Sequence, residues 1–484
     1  MGFQRFARDD NLMPKSKQIT IFLVIYFLIR IFSYYFGPDT PLFAANPINS
    51  IAAIFILATA VYFLFKKPEI GWLIIAGEIL LGGGGNFFAV HGVSLRVLLL
   101  VASLSIYSLQ KIQSKKVKTS LEENKKIVFL FLLLMLSACV SAARGYFLGN
   151  DIPLIISDLI PYLFLLYYFP LRELWNSQKF KNTAMNALYA AIIGNAVFAL
   201  FTFFGFGGGL FALQDSYYHW FRDVAGGKIT DLGLNFYRII LNEQLLLTPT
   251  LLLFLHKIIK KQYDDKKIVF FSVFSLLSIL SINLTRVYVL ALFIGLLFLF
   301  NKQNWKRWLA VSVAVFFSFF LIFTFLHSVA SRGQSLGLEL FGLRLQSIAA
   351  PRVEESSMSR MLLLGPILEK IKARPIFGSG LGDTVTAYSP VFKKEITTQH
   401  FDWGYLEIIA EMGAVGFAIW ILFIIFIFNA VNHYPYSKRF FISALAAMLV
   451  INITSPALFH IFGIVFLTIV ASSTQTKKAE VFSA

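Results

Sequence analysis

Arginine is the residue type on which chemistry can be built in this chain. Between Ser328 and Asp402, the one long polar stretch of the sequence, stand Arg332, Arg344, Arg352, Arg360 and Arg374. The same stretch holds a Pro-Ile-Phe-Gly-Ser-Gly-Leu-Gly turn from Pro375 to Gly382 and then Gln399-His400-Phe401-Asp402. Two further arginines lie beside apolar runs: Arg238 precedes Asn242-Glu243-Gln244, and Arg286 follows Asn283-Leu284-Thr285. A guanidinium stays charged at any relevant pH and meets phosphate oxygens two at a time, so several that converge suit a pyrophosphate. The same contacts would stabilise negative charge on a departing pyrophosphate without a metal. His400 and Asp402 are both able to take a proton from an attacking hydroxyl, and the sequence leaves open which of them does.

Each of these residues has an architectural alternative. For Arg238 and Arg286 it is a hydrogen bond to the backbone carbonyl of a neighbouring helix. Arg96, with Glu78 in the preceding run, reads as a structural ion pair. Arg30 and Arg144, near run ends, read as side chains that snorkel their charge to the membrane surface. Gly82 to Gly85 lacks the Lys-Ser/Thr ending of a phosphate loop and sits at a helix end, where close backbone packing is the simpler account. There is no HExxH motif and no Cys/His cluster, and the acidic residues of the polar stretch are scattered. No metal and no other cofactor is expected.

The elements that must hold these residues are membrane helices. With 57% hydrophobic and 14% charged residues in 484, and a mean hydropathy of +0.71, the chain has too little polar surface to coat a soluble globule. Its formal charge of +17 sits mostly in short loops, and no soluble domain is present to offer a basic face, so nucleic acid is not an expected partner. Cys139, the single cysteine, excludes an internal disulfide. A spanning helix needs roughly 20 apolar residues, and on that measure the sequence holds about 14 runs. The first, Ile19 to Phe36, follows Arg5, Arg8, Lys15 and Lys17 and reads as an uncleaved anchor. Alternate loops are rich and poor in Lys and Arg, which sets both termini in the cytoplasm and the long polar loop outside. The chain divides accordingly into helices 1 to 11 (1–327), the outer loop (328–402) and helices 12 to 14 (403–484). Inside the loop, Ser356 to Lys372 reads as an amphipathic helix capped by Ser356 or Ser357. Its stripe of Met361, Leu362, Leu364, Ile367, Leu368 and Ile371 is expected to lie over the outer ends of the bundle.

Three ordered pieces of the second half resemble motifs of the O-antigen ligase and polymerase family. Leu284-Thr285-Arg286 is similar to the family's Ser-Arg-small motif, with Val287 in place of the small residue. Ser359-Arg360, then Gly365 to Arg374 and Pro375-Ile376-Phe377-Gly378-Ser379-Gly380, resembles its Arg, amphipathic helix and Pro-x-x-Gly-x-Gly pattern. Gln399 to Leu406, running into Glu411-Met412-Gly413-Ala414-Val415-Gly416, resembles its His/Asp-x-x-Tyr-Leu and Glu-x-Gly-x-x-Gly ending.

The resemblance implies an all-α, polytopic inner-membrane helix bundle whose long periplasmic loop carries catalytic residues. It implies metal-independent, inverting glycosyl transfer between undecaprenyl-pyrophosphate-linked oligosaccharides, donor and acceptor, within membrane lipids and with a chain-length regulator protein as an optional partner. Arg238 and Arg286 match the family's pyrophosphate-contacting arginines, Arg360 joins them, and His400 matches the loop histidine. Asp402 stands where the ligases place that histidine, and this departure favours a polymerase over a ligase that transfers the glycan to lipid A-core. The rival of another class is a flippase for the same lipid-linked sugar. It would set charges along a path through the bundle and show pseudo-symmetric halves, whereas here the outward cations gather after the midpoint.

Overall fold

The computed structural model describes residues 13–38, 46–113, 125–263, 265–349, 355–389, 393–432 and 438–473. Arg5, Arg8, Lys477, Lys478, most of the basic loop before Lys125, and Arg352 lie outside the described residues. The helices are α1 (Lys15–Phe36), α2 (Pro47–Lys66), α3 (Pro68–Leu81), α4 (Leu95–Gln113), α5 (Lys125–Phe147), α6 (Ile152–Leu163), α7 (Tyr168–Leu174), α8 (Gln178–Gly207), α9 (Ser216–Asp223), α10 (Leu247–Lys260), α11 (Lys266–Asn283), α12 (Arg286–Leu299), α13 (Trp305–Ala330), α14 (Leu338–Ala349), α15 (Glu355–Ala373), α16 (Gly404–Asn432), α17 (Lys438–Ile451) and α18 (Ile461–Ser473). Among the described residues three antiparallel hairpins interrupt them, β1 (Ala89–Val90) with β2 (Val93–Ser94), β3 (Lys228–Asp231) with β4 (Tyr237–Ile240), and β5 (Val385–Ser389) with β6 (Lys394–Thr398).

This is an all-α polytopic membrane protein. Among the described residues nine helical segments are long and apolar enough to cross a membrane. Large apolar side chains such as Phe55 and Phe317 face outward from them, where lipid replaces water as solvent. The other five of the fourteen apolar runs contain helices of only 13 or 14 residues, α3, α10, α12, α17 and α18. The run from Tyr237 shows why a run and a helix differ. Its first residues pair as β4 with β3, burying Ile229 and Ile239, and a 3-10 turn over Asn242–Leu246 follows, so α-helix begins only at Leu247.

Two breaks shape the loop-bearing end. Helix α11 stops at Leu284, which takes a left-handed conformation at φ 46°, and α12 restarts at Arg286. Helix α16 is kinked at Gly413, φ 69°. The turn from Pro375 to Gly380 docks against this kink: Ser379 N–H donates to Ala410 O (2.8 Å), Gly380 N–H to Glu411 O (2.9 Å), and Ala414 N–H to Pro375 O (2.9 Å). A β-carbon at Gly380 would overlap the backbone of Gly145, and one at Gly413 the carbonyl of Ile376. The glycines of this motif let two backbones pair inside the bundle.

The loop helix α15 departs from its expected seam. Leu363 and Ile367 are buried with Val385, Phe401 and Ala410, and Ile371 packs beside them, while Met361 and Leu368 are exposed. It rests on a small satellite core shared with the β5–β6 hairpin and α16, so an i, i+4, i+8 seam suffices. It starts at Glu355, which places Ser356 and Ser357 inside its first turn.

Candidate functional site

The β3–β4 hairpin positions Arg238. Its buried isoleucines fix it to the bundle, and Arg238, on the opposite face, reaches across the α11–α12 break. Its Nε donates to Asn283 O (2.8 Å) and its Nη2 to Thr285 Oγ1 (2.7 Å). The carbonyl is available because the helix ends there. The expected architectural contact is therefore present, and it aims the guanidinium at the N-terminus of α12, where half-buried Arg286 is the first residue. A helix N-terminus and two guanidiniums form a setting for an anion.

Arg360, on α15, enters the same neighbourhood. Its Nε lies 3.8 Å from Asp402 Oδ2, and Lys228 on β3 lies within electrostatic range of Arg238, Arg360 and Asp402 together. Hairpin and loop helix thus meet over one patch, although they are far apart in sequence. Lys228 keeps an exposed side chain but is hemmed in. Lost hydration, then the repulsion of Arg238 and Arg360, holds its ammonium below the usual lysine range.

His400 and Asp402 part company here. Phe401 between them is fully buried in the satellite core, and Asp402 adopts a left-handed backbone, φ 56°. Asp402 turns toward Arg360, whereas His400 turns toward α16, with Nδ1 3.3 Å from Glu407 Oε1. Glu407 is 2% exposed, and its other oxygen accepts the Phe401 N–H at 2.9 Å. With Glu407 ionised, Nδ1 is the donor of this contact, and the neutral imidazole then presents Nε2 as an acceptor. The bond from Glu407 raises the His400 pKa above its ordinary value, against the opposing loss of part of the ring's hydration beside α16, and Asp158 and Asp402 add to the rise. Gln399 donates to Asp158 Oδ1 at 2.6 Å, which pins the loop beside α6.

A chain of polar side chains backs the arginines. Arg30 Nη2 meets Glu243 Oε1 at 2.8 Å, and Asn195 donates to the same oxygen at 3.0 Å. Gln244 reaches Asn195 at 3.3 Å, Asn283 reaches Gln244 at 2.5 Å, and Thr285 closes on Asn283 and Arg238. This corrects the snorkelling expected of Arg30. It is 3% exposed, ion-paired and stacked 3.4 Å over Tyr26, because Glu243 offers an opposite charge inside the bundle. Arg144 does not snorkel either, since its Nε binds Gly378 O at 2.7 Å and helps seat the glycine turn. Arg96 and Glu78 form the expected ion pair at 2.8 Å, with Gly83 O accepting from Arg96 at 2.9 Å.

Sequence reasoning missed Glu407, Asp158 and Lys228 as site residues. Glu407 carries a faint signal: it stands in the first turn of a helix, where a Glu often reaches back to the preceding backbone. Lys228 and Asp158 carry none, because only tertiary pairing brings them here. Among the described residues no group of three His, Cys, Asp or Glu side chains has the geometry to hold a metal ion. No curated protein matches the chain. Residues 269–421 match the family described as O-antigen ligase, a segment that holds Arg286, Arg360, His400, Asp402 and Glu407 and begins after Arg238. That match supports the chain's place in the O-antigen ligase and polymerase family.

Proposed function

We propose that the protein is an O-antigen polymerase of the bacterial inner membrane, with both termini cytoplasmic and its site open to the periplasm. It joins undecaprenyl-pyrophosphate-linked repeat units by metal-independent, inverting glycosyl transfer. The observation that carries this reading is that Arg238, from a hairpin, stands at the helix break after which α12 begins with Arg286, and shares one electrostatic neighbourhood with Arg360, from the loop. The donor's pyrophosphate lies on these three side chains. The acceptor hydroxyl attacks the anomeric carbon from the opposite face, the bond from that carbon to the pyrophosphate oxygen breaks, and the electron pair leaves on the pyrophosphate. His400 Nε2 takes the hydroxyl proton, and Glu407 steadies the imidazolium that results. Asp402, turned to Arg360, is a counter-charge and not the base.

Replacement of Arg286 by Ala is the direct test. Long-chain product in cells should disappear while the protein level holds, and near-normal polymer would rule the assignment out. The choice of acceptor separates polymerase from ligase. Purified protein given only lipid-linked repeat units should lengthen them, and transfer that requires lipid A-core would make it a ligase.

A further inference from the structure

The hairpin that carries Arg238 has two faces of opposite character. Lys228 pairs with Ile240 and Thr230 with Arg238, so Lys228, Thr230 and Arg238 share one face while Ile229 and Ile239 are buried behind. Lys228 is thereby the diagonal neighbour of Arg238, a relation that spans about 7–8 Å in such a ladder. Arg360 and Asp402 also lie within its electrostatic range. Lys228 therefore has two guanidiniums and one carboxylate within range. The Arg360 to Asp402 approach of 3.8 Å exceeds a hydrogen bond, and the Arg360 Nε is buried with no hydrogen-bond partner. Asp402 neutralises part of the cluster without satisfying it. The surplus positive charge favours a ligand that brings several acceptor oxygens and more than one negative charge.

We propose that Lys228 is a fourth phosphate-binding side chain of this site and that Asp402 is an exchangeable counter-ion, holding Arg360 until a pyrophosphate takes its place. This rests on the pyrophosphate reading above. On binding, phosphate oxygens accept hydrogen bonds from the Lys228 ammonium and the Arg360 Nε–H, and the Asp402 carboxylate is displaced toward solvent, where it is already half exposed. No covalent bond changes.

The test is isothermal titration of the purified full-length protein, in phosphatidylcholine nanodiscs at low salt, with inorganic pyrophosphate and with farnesyl pyrophosphate. Lys228→Gln should weaken both by about tenfold, the loss of one charge-assisted contact, and Lys228→Arg should restore binding. Asp402→Asn should tighten both several-fold, because the competing charge is gone. Asn tolerates the left-handed backbone at this position, and unliganded melting temperatures confirm that each variant is folded. Unchanged binding in Lys228→Gln, or weaker binding in Asp402→Asn, overturns the proposal. Equal competition by phosphatidylglycerol nanodiscs overturns it too, because the patch would then be a general headgroup site. Wild-type protein that binds neither pyrophosphate overturns the pyrophosphate reading itself. Binding that is lost in Arg238→Gln but untouched in Lys228→Gln overturns only the role of Lys228.

Discussion

Replacing Glu407 by Gln tests the division of labour between His400 and Asp402. The substitution keeps the shape of a side chain that is 2% exposed and removes its charge, 3.3 Å from His400 Nδ1. A hydrogen bond to a charged group contributes about 1.5–3 kcal/mol. The imidazole is 57% exposed, so solvent screens part of this and the lower end applies, about 1.5–2 kcal/mol. That corresponds to a roughly 10- to 30-fold slower transfer step. The sign of the pH effect follows from the same contact. His400 must be neutral to accept a proton, and Glu407 favours its charged form, so wild-type activity should fall with acidification through a midpoint above the ordinary histidine value. In Glu407→Gln the proton leaves more readily, and the acid limb should move to lower pH while the plateau drops. The assay is the rate of chain growth by purified protein on a lipid-linked repeat unit between about pH 5 and 9, a range that brackets histidine titration. A variant with an unshifted acid limb and a normal plateau would refute the dyad. A defect confined to the donor KM would show that Glu407 shapes the pyrophosphate site instead. Asp402→Asn removes only a lesser contribution to the raised His400 pKa, so it should move the acid limb to lower pH by less than Glu407→Gln does.

Two further predictions concern the scaffold. Gly380→Ala should lower the melting temperature in detergent, because a left-handed alanine and a methyl pressed on the Gly145 backbone together cost more than about 2 kcal/mol; an unchanged melt would mean that the turn does not dock as described. Arg30→Met should destabilise by about 3–5 kcal/mol through the stranded charge of Glu243, and adding Glu243→Gln should recover much of it. Strictly additive losses in that double variant would show that the two charges are uncoupled.

By itself the sequence determined that this is a membrane bundle, because hydropathy and charge are local properties that a lipid solvent reads directly. It also determined which residue types stand ready for an anion. Arg238, Arg286, Arg360 and His400 were legible as candidates, since a guanidinium or imidazole beside an apolar run needs a reason. The run from Tyr237 hid a strand, because apolar composition marks burial and not hydrogen-bond pairing. Tertiary structure alone decided the partners. It set Arg30 on Glu243 across more than two hundred residues, turned His400 to Glu407 and Asp402 to Arg360 on either side of buried Phe401, and brought Lys228 within range of Asp402 and Arg360. Charge pairing depends on distance in space, and a chain that folds back on itself through broken helices carries no linear record of which ends will meet.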